Sequence, residues 1–160
     1  MIYFTSDLHF GHKNILRFDN RPFTTIEEMD SELIKRWNNK VNKNDTVYIL
    51  GDLSWYNADK TLEILNQLNG RLRLVKGNHD NFLHNSDCKK RFESIKDYEE
   101  ITLGDIKLVL SHYPIHMYNY QFRGGIMLYG HVHTTKSYYK TIEFMNELNK
   151  EDIKCEMYNV

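Results

Sequence analysis

Cysteine is scarce in this chain, with Cys88 and Cys155 far apart and outside any CxxC pattern. Two cysteines so placed argue against a cysteine-rich zinc site and fit two reduced thiols in a cytoplasmic protein. Long apolar runs are missing too: no stretch approaches the roughly 18 residues that a membrane helix needs. The N-terminus enters a strand-like IYFTS segment without a basic leader or a small-residue cleavage site, so export is not expected. Charge of one sign is also lacking. Lysine plus arginine (21) nearly match aspartate plus glutamate (22), so no global field draws the chain to nucleic acid or anionic lipid. There is no repeat, low-complexity tract or Pro/Gly/Ser-rich linker, and 160 residues suit one domain with one core.

What is present is patterned. Residues 2–6, 46–50 and 72–76 are rich in large apolar or β-branched side chains and end at glycine or aspartate, as strands do. Between them, Ile26, Met29, Leu33, Ile34, Trp37 and Val41 recur on one helical face, and Thr25 with Glu28 reads as a capping box. A second helix carries Leu62, Leu65 and Leu68 and stops at Asn69-Gly70. Strand–helix–strand–helix–strand implies right-handed crossovers and a parallel sheet in this half. Further on, residues 98–103 and 106–111 flank Gly104-Asp105, the signature of a hairpin with a type I′ turn. A strand over 126–129, a helix over 138–149 and an extended piece over 153–160 complete the chain. The expected fold is an α/β sandwich of two mixed sheets flanked by helices.

The polar motifs fall at strand ends. Asp7-Leu8-His9, Gly51-Asp52, Gly77-Asn78-His79-Asp80, His112 and Gly130-His131-Val132-His133 each follow a predicted strand. Ligands of open α/β sheets bind beyond the carboxyl ends of strands, so these motifs converge on one edge. In extended backbone, Asp7 and His9, and likewise His131 and His133, point the same way. The glycines at 51, 77 and 130 permit sharp turns and close approach to a ligand. Carboxylate, imidazole and amide oxygen together suit manganese, iron or zinc and disfavour calcium. Singly, Asp-x-His or Gly-Asp arises often by chance; together, in this order, they form a specific pattern.

With those motifs in place, the sequence resembles the calcineurin-like metallophosphoesterases, from Asp7 to His133, and the opening SDLHFGHKNI resembles small single-domain bacterial and phage members. The resemblance implies a four-layer α/β/β/α domain over residues 1–160 and a chain that continues beyond Val160 in relatives. It implies two divalent metals, manganese foremost, with iron, zinc or nickel as alternatives. Asp7, His9, Asp52 and His133 would hold one, and Asp52, Asn78, His112 and His131 the other, with Asp52 bridging. His79 would act on the substrate as acid or transition-state stabiliser, oriented by Asp80. The implied reaction is hydrolysis of a phosphate ester by a hydroxide shared between the metals.

One departure narrows the substrate. Ser/Thr phosphatases and dinucleoside tetraphosphatases of that superfamily carry an arginine soon after the second-strand Gly-Asp, whereas here the run is Gly51-Asp52-Leu53-Ser54-Trp55-Tyr56. Phosphodiesters are therefore expected over monoesters, with a nucleotide among the candidates. His12, Asn14, Arg17, Arg21, His116 and Arg123 are the candidate anion contacts, and the arginines serve equally well as solvated surface groups. Tyr113, Tyr118, Tyr120 and Phe122 read as packing under a loop, or as a base-stacking platform. A monoesterase, a nuclease and a non-catalytic interaction module are the other readings; the full ligand set with His79 counts against the last.

Overall fold

Alternation along the strands builds the molecule. The computed structural model describes residues 1–151 and 154–160. In strand β2 (Thr46–Ile49), every residue is buried, the pattern of a strand covered on both faces. Val47 and Ile49 face one way, into a core shared with Trp37, Ile64 and Leu65. Tyr48 and Leu50 face the other way, against Leu108, Leu110 and Leu128 of a second sheet.

The first sheet runs β1 (Ile2–Thr5), β2, β3 (Arg71–Val75), β4 (Phe92–Lys96), parallel throughout. Parallel neighbours need crossovers. They are supplied by α1 (Ile15–Phe18) and α2 (Ile26–Lys40), then α3 (Ala58–Leu65), then α4 (Ser86–Lys90). β4 and the short helices α1 and α4 were not apparent from sequence. Thr25 caps α2 by accepting from the Glu28 N–H at 3.1 Å. The Glu28 carboxylate reaches back to Thr24 N at 2.8 Å, one residue beyond the partner a capping box uses. Helix α3 ends earlier than its leucines suggested; Thr61, Ile64 and Leu65 are its buried face, and Leu68 packs from the turn beyond.

The second sheet runs β5 (Tyr98–Leu103), β6 (Ile106–Ser111), β7 (Ile126–Tyr129), β8 (Glu156–Asn159). Only this sheet is mixed: β5 and β6 form an antiparallel hairpin, and the remaining pairs are parallel. The hairpin turn is not type I′, because Gly104 (φ +58°) has a positive φ and Asp105 does not. A glycine in the first central position fits type II′. Helix α5 (Lys136–Lys150) covers the outer face, where Met145 and Leu148 pack on Val109, Met127, Tyr129 and Met157. The last extended piece starts later than expected, at Glu156, and Ile153 lies outside the described residues. The result is the expected sandwich of two sheets between helical layers. Among the described residues no helix is long and apolar enough to cross a membrane.

Leu74, fully buried in β3 among α2 and α3 side chains, sets the scale of this packing. Leu74→Ala should cost about 2–5 kcal/mol in urea unfolding through the cavity it leaves. A loss under about 1 kcal/mol would mean that the helical layer collapses freely onto the sheet.

Candidate metal centre

Five residues of the strand-end motifs have left-handed backbone, a conformation that non-glycine residues adopt at a cost of order 1–3 kcal/mol each. They are Asp7 (φ 51°), His9 (53°), Asp52 (53°), His131 (69°) and His133 (46°). The extended backbone expected through Asp7–His9 and His131–His133 is therefore absent. An extended chain would carry these residues past the sheet edge, whereas the left-handed turns fold each loop back over it. Neighbouring loops hold the turns: Asp7 N donates to Gly51 O at 3.1 Å, and His9 N to Asp52 O at 3.0 Å. His131 N donates to Asp7 Oδ2 at 2.9 Å, tying the two sheets together. At Gly77 a Cβ would collide with the Asp52 carboxylate, and at Gly130 it would lie 2.5 Å from Asp7 Oδ2. Only glycine lets these loops approach so closely.

The side chains gather into two clusters, Asp7–His9–His133 and Asp52–His112–His131, each with its ligand atoms within 4.8 Å of one another. His131 and His133, two residues apart, thus serve different clusters. Asp52 connects them: its Oδ2 lies 3.8 Å from His9 Nε2, and its Oδ1 lies 3.6 Å from His112 Nε2. Asn78 Oδ1 joins the second cluster at 3.0 Å from His112 Nε2.

The donor atoms face one another in a way that hydrogen bonds alone do not satisfy. His112 Nδ1 donates to Leu50 O at 2.8 Å, which leaves an Nε2 lone pair facing the Asn78 oxygen. His133 Nδ1 donates to Asp19 Oδ2 at 2.8 Å, which aims its Nε2 lone pair at His9 Nε2, 3.2 Å away. Asp7 Oδ1 is buried without a hydrogen-bond partner, 3.5 Å from His133 Nε2. Converging lone pairs and an orphaned carboxylate oxygen are what a cation site requires, and the donor types suit borderline divalent metals. Burial alone would raise the Asp7 pKa. His9, with its Nε2 3.7 Å from Oδ1, the Ser6 hydrogen bond to Oδ2 and the nearby His133 and His112 bring it below the ordinary value, so it stays ionised. Burial, with His112 beside it, lowers the His131 pKa and keeps that imidazole neutral, as ligation demands.

A model of the calcineurin-like phosphoesterase superfamily domain matches residues 1–146. The chain belongs to that superfamily. An uncharacterized protein of Methanocaldococcus jannaschii is 41% identical over 134 residues, covering 82% of this chain and 69% of its own. The gene 66 protein of Mycobacterium phage L5 is 32% identical, with 82% and 77% covered. A protein of unknown function from Aquifex aeolicus superposes with a TM-score of 0.73 at 28% identity, over 99% of this chain and 88% of that one. A phosphoesterase of this superfamily is a metal-binding hydrolase, consistent with the two clusters.

Other residues of this calcineurin-like phosphoesterase depart from their expected roles. Asp80 does not orient His79. Its buried carboxylate accepts from Leu53 N (2.9 Å), Gly77 N (2.8 Å) and Asp52 N (3.2 Å), clamping the loop after β3 to the loop after β2. The bond from Gly77 N, three residues back, holds the carboxylate towards the start of its own loop. Burial raises the Asp80 pKa, the charge of Asp52 adds to this, and the three N–H donors oppose it. His79 is held by its backbone, N to Asp52 Oδ1 at 2.9 Å, and by its ring against Trp55, centroids 3.9 Å apart.

Of the candidate anion contacts, His12 lines the cavity over the clusters, which has a volume of about 480 Å³. Arg21 does not reach into it: its guanidinium donates to Asp7 O, Leu8 O (2.8 Å) and Asp19 Oδ2 (3.2 Å), bracing the first loop from behind. Arg17 lies exposed over the Phe18 ring, and Asn14 is exposed at the start of α1. His116 stacks on Phe144 of α5, and Arg123 is exposed at the end of a 3-10 turn; neither lines the cavity. Tyr118 is buried and hydrogen-bonds Gly125 O and Glu156 O, the packing role, while Tyr113 is exposed and meets His131 edge-on at 4.6 Å.

The residue that sequence reasoning missed is Asp19. It sits in no motif, and its one signal was two further polar residues, Asn20 and Arg21, directly after a short apolar stretch. It fixes the ring orientation and tautomer of His133 and is itself held by Arg21. Partners of this kind typically govern 10–100-fold in metal affinity. Calorimetric titration of Asp19→Ala with Mn²⁺ should show one class of site weakened by about that factor and the other unchanged. Unaltered binding at both sites would remove Asp19 from the centre.

Proposed function

We propose that this protein is a dinuclear metal-dependent phosphoesterase that favours phosphodiesters. The observation that supports it most is the position of Asp52, with one carboxylate oxygen towards each histidine cluster. Bound there, two divalent cations would supply positive charge to the phosphoryl oxygens and an activated water as nucleophile, with manganese foremost and iron, zinc or nickel as alternatives. Asp7, His9 and His133 would hold one cation and Asn78, His112 and His131 the other, while the Asp52 charge offsets the repulsion between them.

His79 lines the cavity beside both clusters without ligating either in this scheme, so its imidazole is available to protonate the leaving oxygen. Among the described residues that line the cavity there is no arginine or lysine. A monoester dianion needs such extra positive charge, whereas a diester carries one negative charge that the cations and His79 can balance. With Arg21 engaged by the chain itself, the expectation of a diester is strengthened over a monoesterase. Two buried free thiols suit a reducing compartment, and we place the enzyme in the cytoplasm on that ground.

Asp52→Asn should lose both bound metal and turnover, read by elemental analysis and by rate. His79→Ala should keep its metal and lose about 10²–10⁴-fold in rate, less for a nitrophenyl leaving group than for an alkyl one. Two metals and normal turnover in Asp52→Asn would remove the bridging role. Equal losses for both leaving groups would assign His79 to the phosphoryl oxygens. In the Mn²⁺ enzyme, kcat/KM for a nitrophenyl phosphodiester should exceed that for the matched monoester. The reverse order would sink the diester preference.

A further inference from the structure

One wall of the cavity is built from flat side chains that hold no metal. The His12 ring lies on Trp55 with centroids 4.0 Å apart and planes 7° from parallel. Phe18 meets His12 edge-on at 6.3 Å, and the Arg17 guanidinium lies over Phe18 at 5.3 Å. Trp55 is 44% exposed and Phe18 63% exposed, so both present apolar surface to the cavity. His12, Phe18 and Trp55 share the cavity with His79, His131 and His133. A phosphate at the clusters therefore has its substituent beside aromatic surface.

We propose that this wall takes the base of a nucleotide, so that the substrate is a phosphoester carrying a nucleoside on this side. The inference rests on the reading of the clusters as a phosphoesterase centre. Three properties favour a base over an aliphatic or sugar substituent. Stacked π faces reward a flat partner and are indifferent to its edge pattern, which suits any base. The guanidinium at the outer end stacks on rings and attracts a further phosphate. The cavity, at about 480 Å³, lies within the range of sites that enclose a whole small ligand.

The chain's two tryptophans make the test direct. Trp37 is buried with its Nε1–H on Asn69 O, so quenching by a base bound against the wall reports on Trp55. The probes are the methyl ester of a non-hydrolysable phosphonate analogue of AMP, which carries the single charge of a diester, and the matching ribose phosphonate methyl ester that lacks the base, each titrated into the Mn²⁺-loaded protein. The nucleotide analogue should quench saturably and, by calorimetry, bind about tenfold more tightly than the ribose compound. Phe18→Ala should remove most of that difference and leave ribose phosphonate binding unchanged. Equal affinity for the two probes overturns the proposal, as does a Phe18→Ala variant that weakens both alike. Hydrolysis of methyl nitrophenyl phosphate, which has no base, reports separately on the phosphoesterase reading. Turnover without base discrimination sinks the wall alone, and base discrimination without turnover sinks the enzyme reading alone.

Discussion

Asp52 is 2% exposed, left-handed in its backbone, and shared between two histidine clusters, and each condition makes demands on the surrounding chain. A buried carboxylate is tolerable only when it is hydrogen-bonded and neutralised. His79 N supplies one hydrogen bond, and Asp80, a second buried carboxylate, stiffens the same loop through three N–H donors. Adding Asp7 places three aspartates at one edge of the molecule, all less than a tenth exposed. Hydrogen bonds satisfy Asp80 in full, but they leave Asp7 Oδ1 without a partner and Asp52 Oδ2 turned towards the cavity. Cations are the remaining source of balance, and imidazole and amide lone pairs surround the place where they would sit.

That demand explains the irregular backbone. Left-handed non-glycine residues persist only where the surroundings over-determine them. Here the loops after β1, β2 and β7 bond to one another, through Asp7 N to Gly51 O, His9 N to Asp52 O and His131 N to Asp7 Oδ2. The glycines that follow β3 and β7 have the same cause: a side chain at either position would occupy the space of an aspartate oxygen.

How much of this was legible depends on whether the signal was local. Strands with period-2 alternation, the amphipathic face of α2 and the polar residues at strand ends are written in short windows, and each was readable. Left-handed φ at aspartate and histidine is not, because nothing in Asp-x-His specifies it; the constraint comes from loops more than 40 residues away. The adjacency of His79 and Asp80 suggested a contact, but the Asp80 carboxylate is taken up by the N–H groups of Asp52, Leu53 and Gly77. Asp19 carried only a weak local signal, since its partner His133 is 114 residues distant. β4, with the sequence FESIK, escaped because three of its five residues are polar and its contribution to the core is Phe92 and Ile95 alone.

Both clusters draw on both sheets. Asp7 and His9 follow β1 and meet His133 from beyond β7; Asp52 and Asn78 follow strands of the first sheet and meet His112 and His131 from the second. Between the sheets lies a modest apolar layer of Tyr48, Leu50 and Val75 against Leu108, Leu110 and Leu128. Away from that layer, at the functional edge, polar contacts and the ligand clusters join the two halves. Any ion that binds the native arrangement and not the unfolded chain stabilises it by mass action. Because each cluster spans the sandwich, that stabilisation acts across the two sheets as well as on the loops. The residues of the proposed metal centre thus also help to hold the two sheets together at this edge.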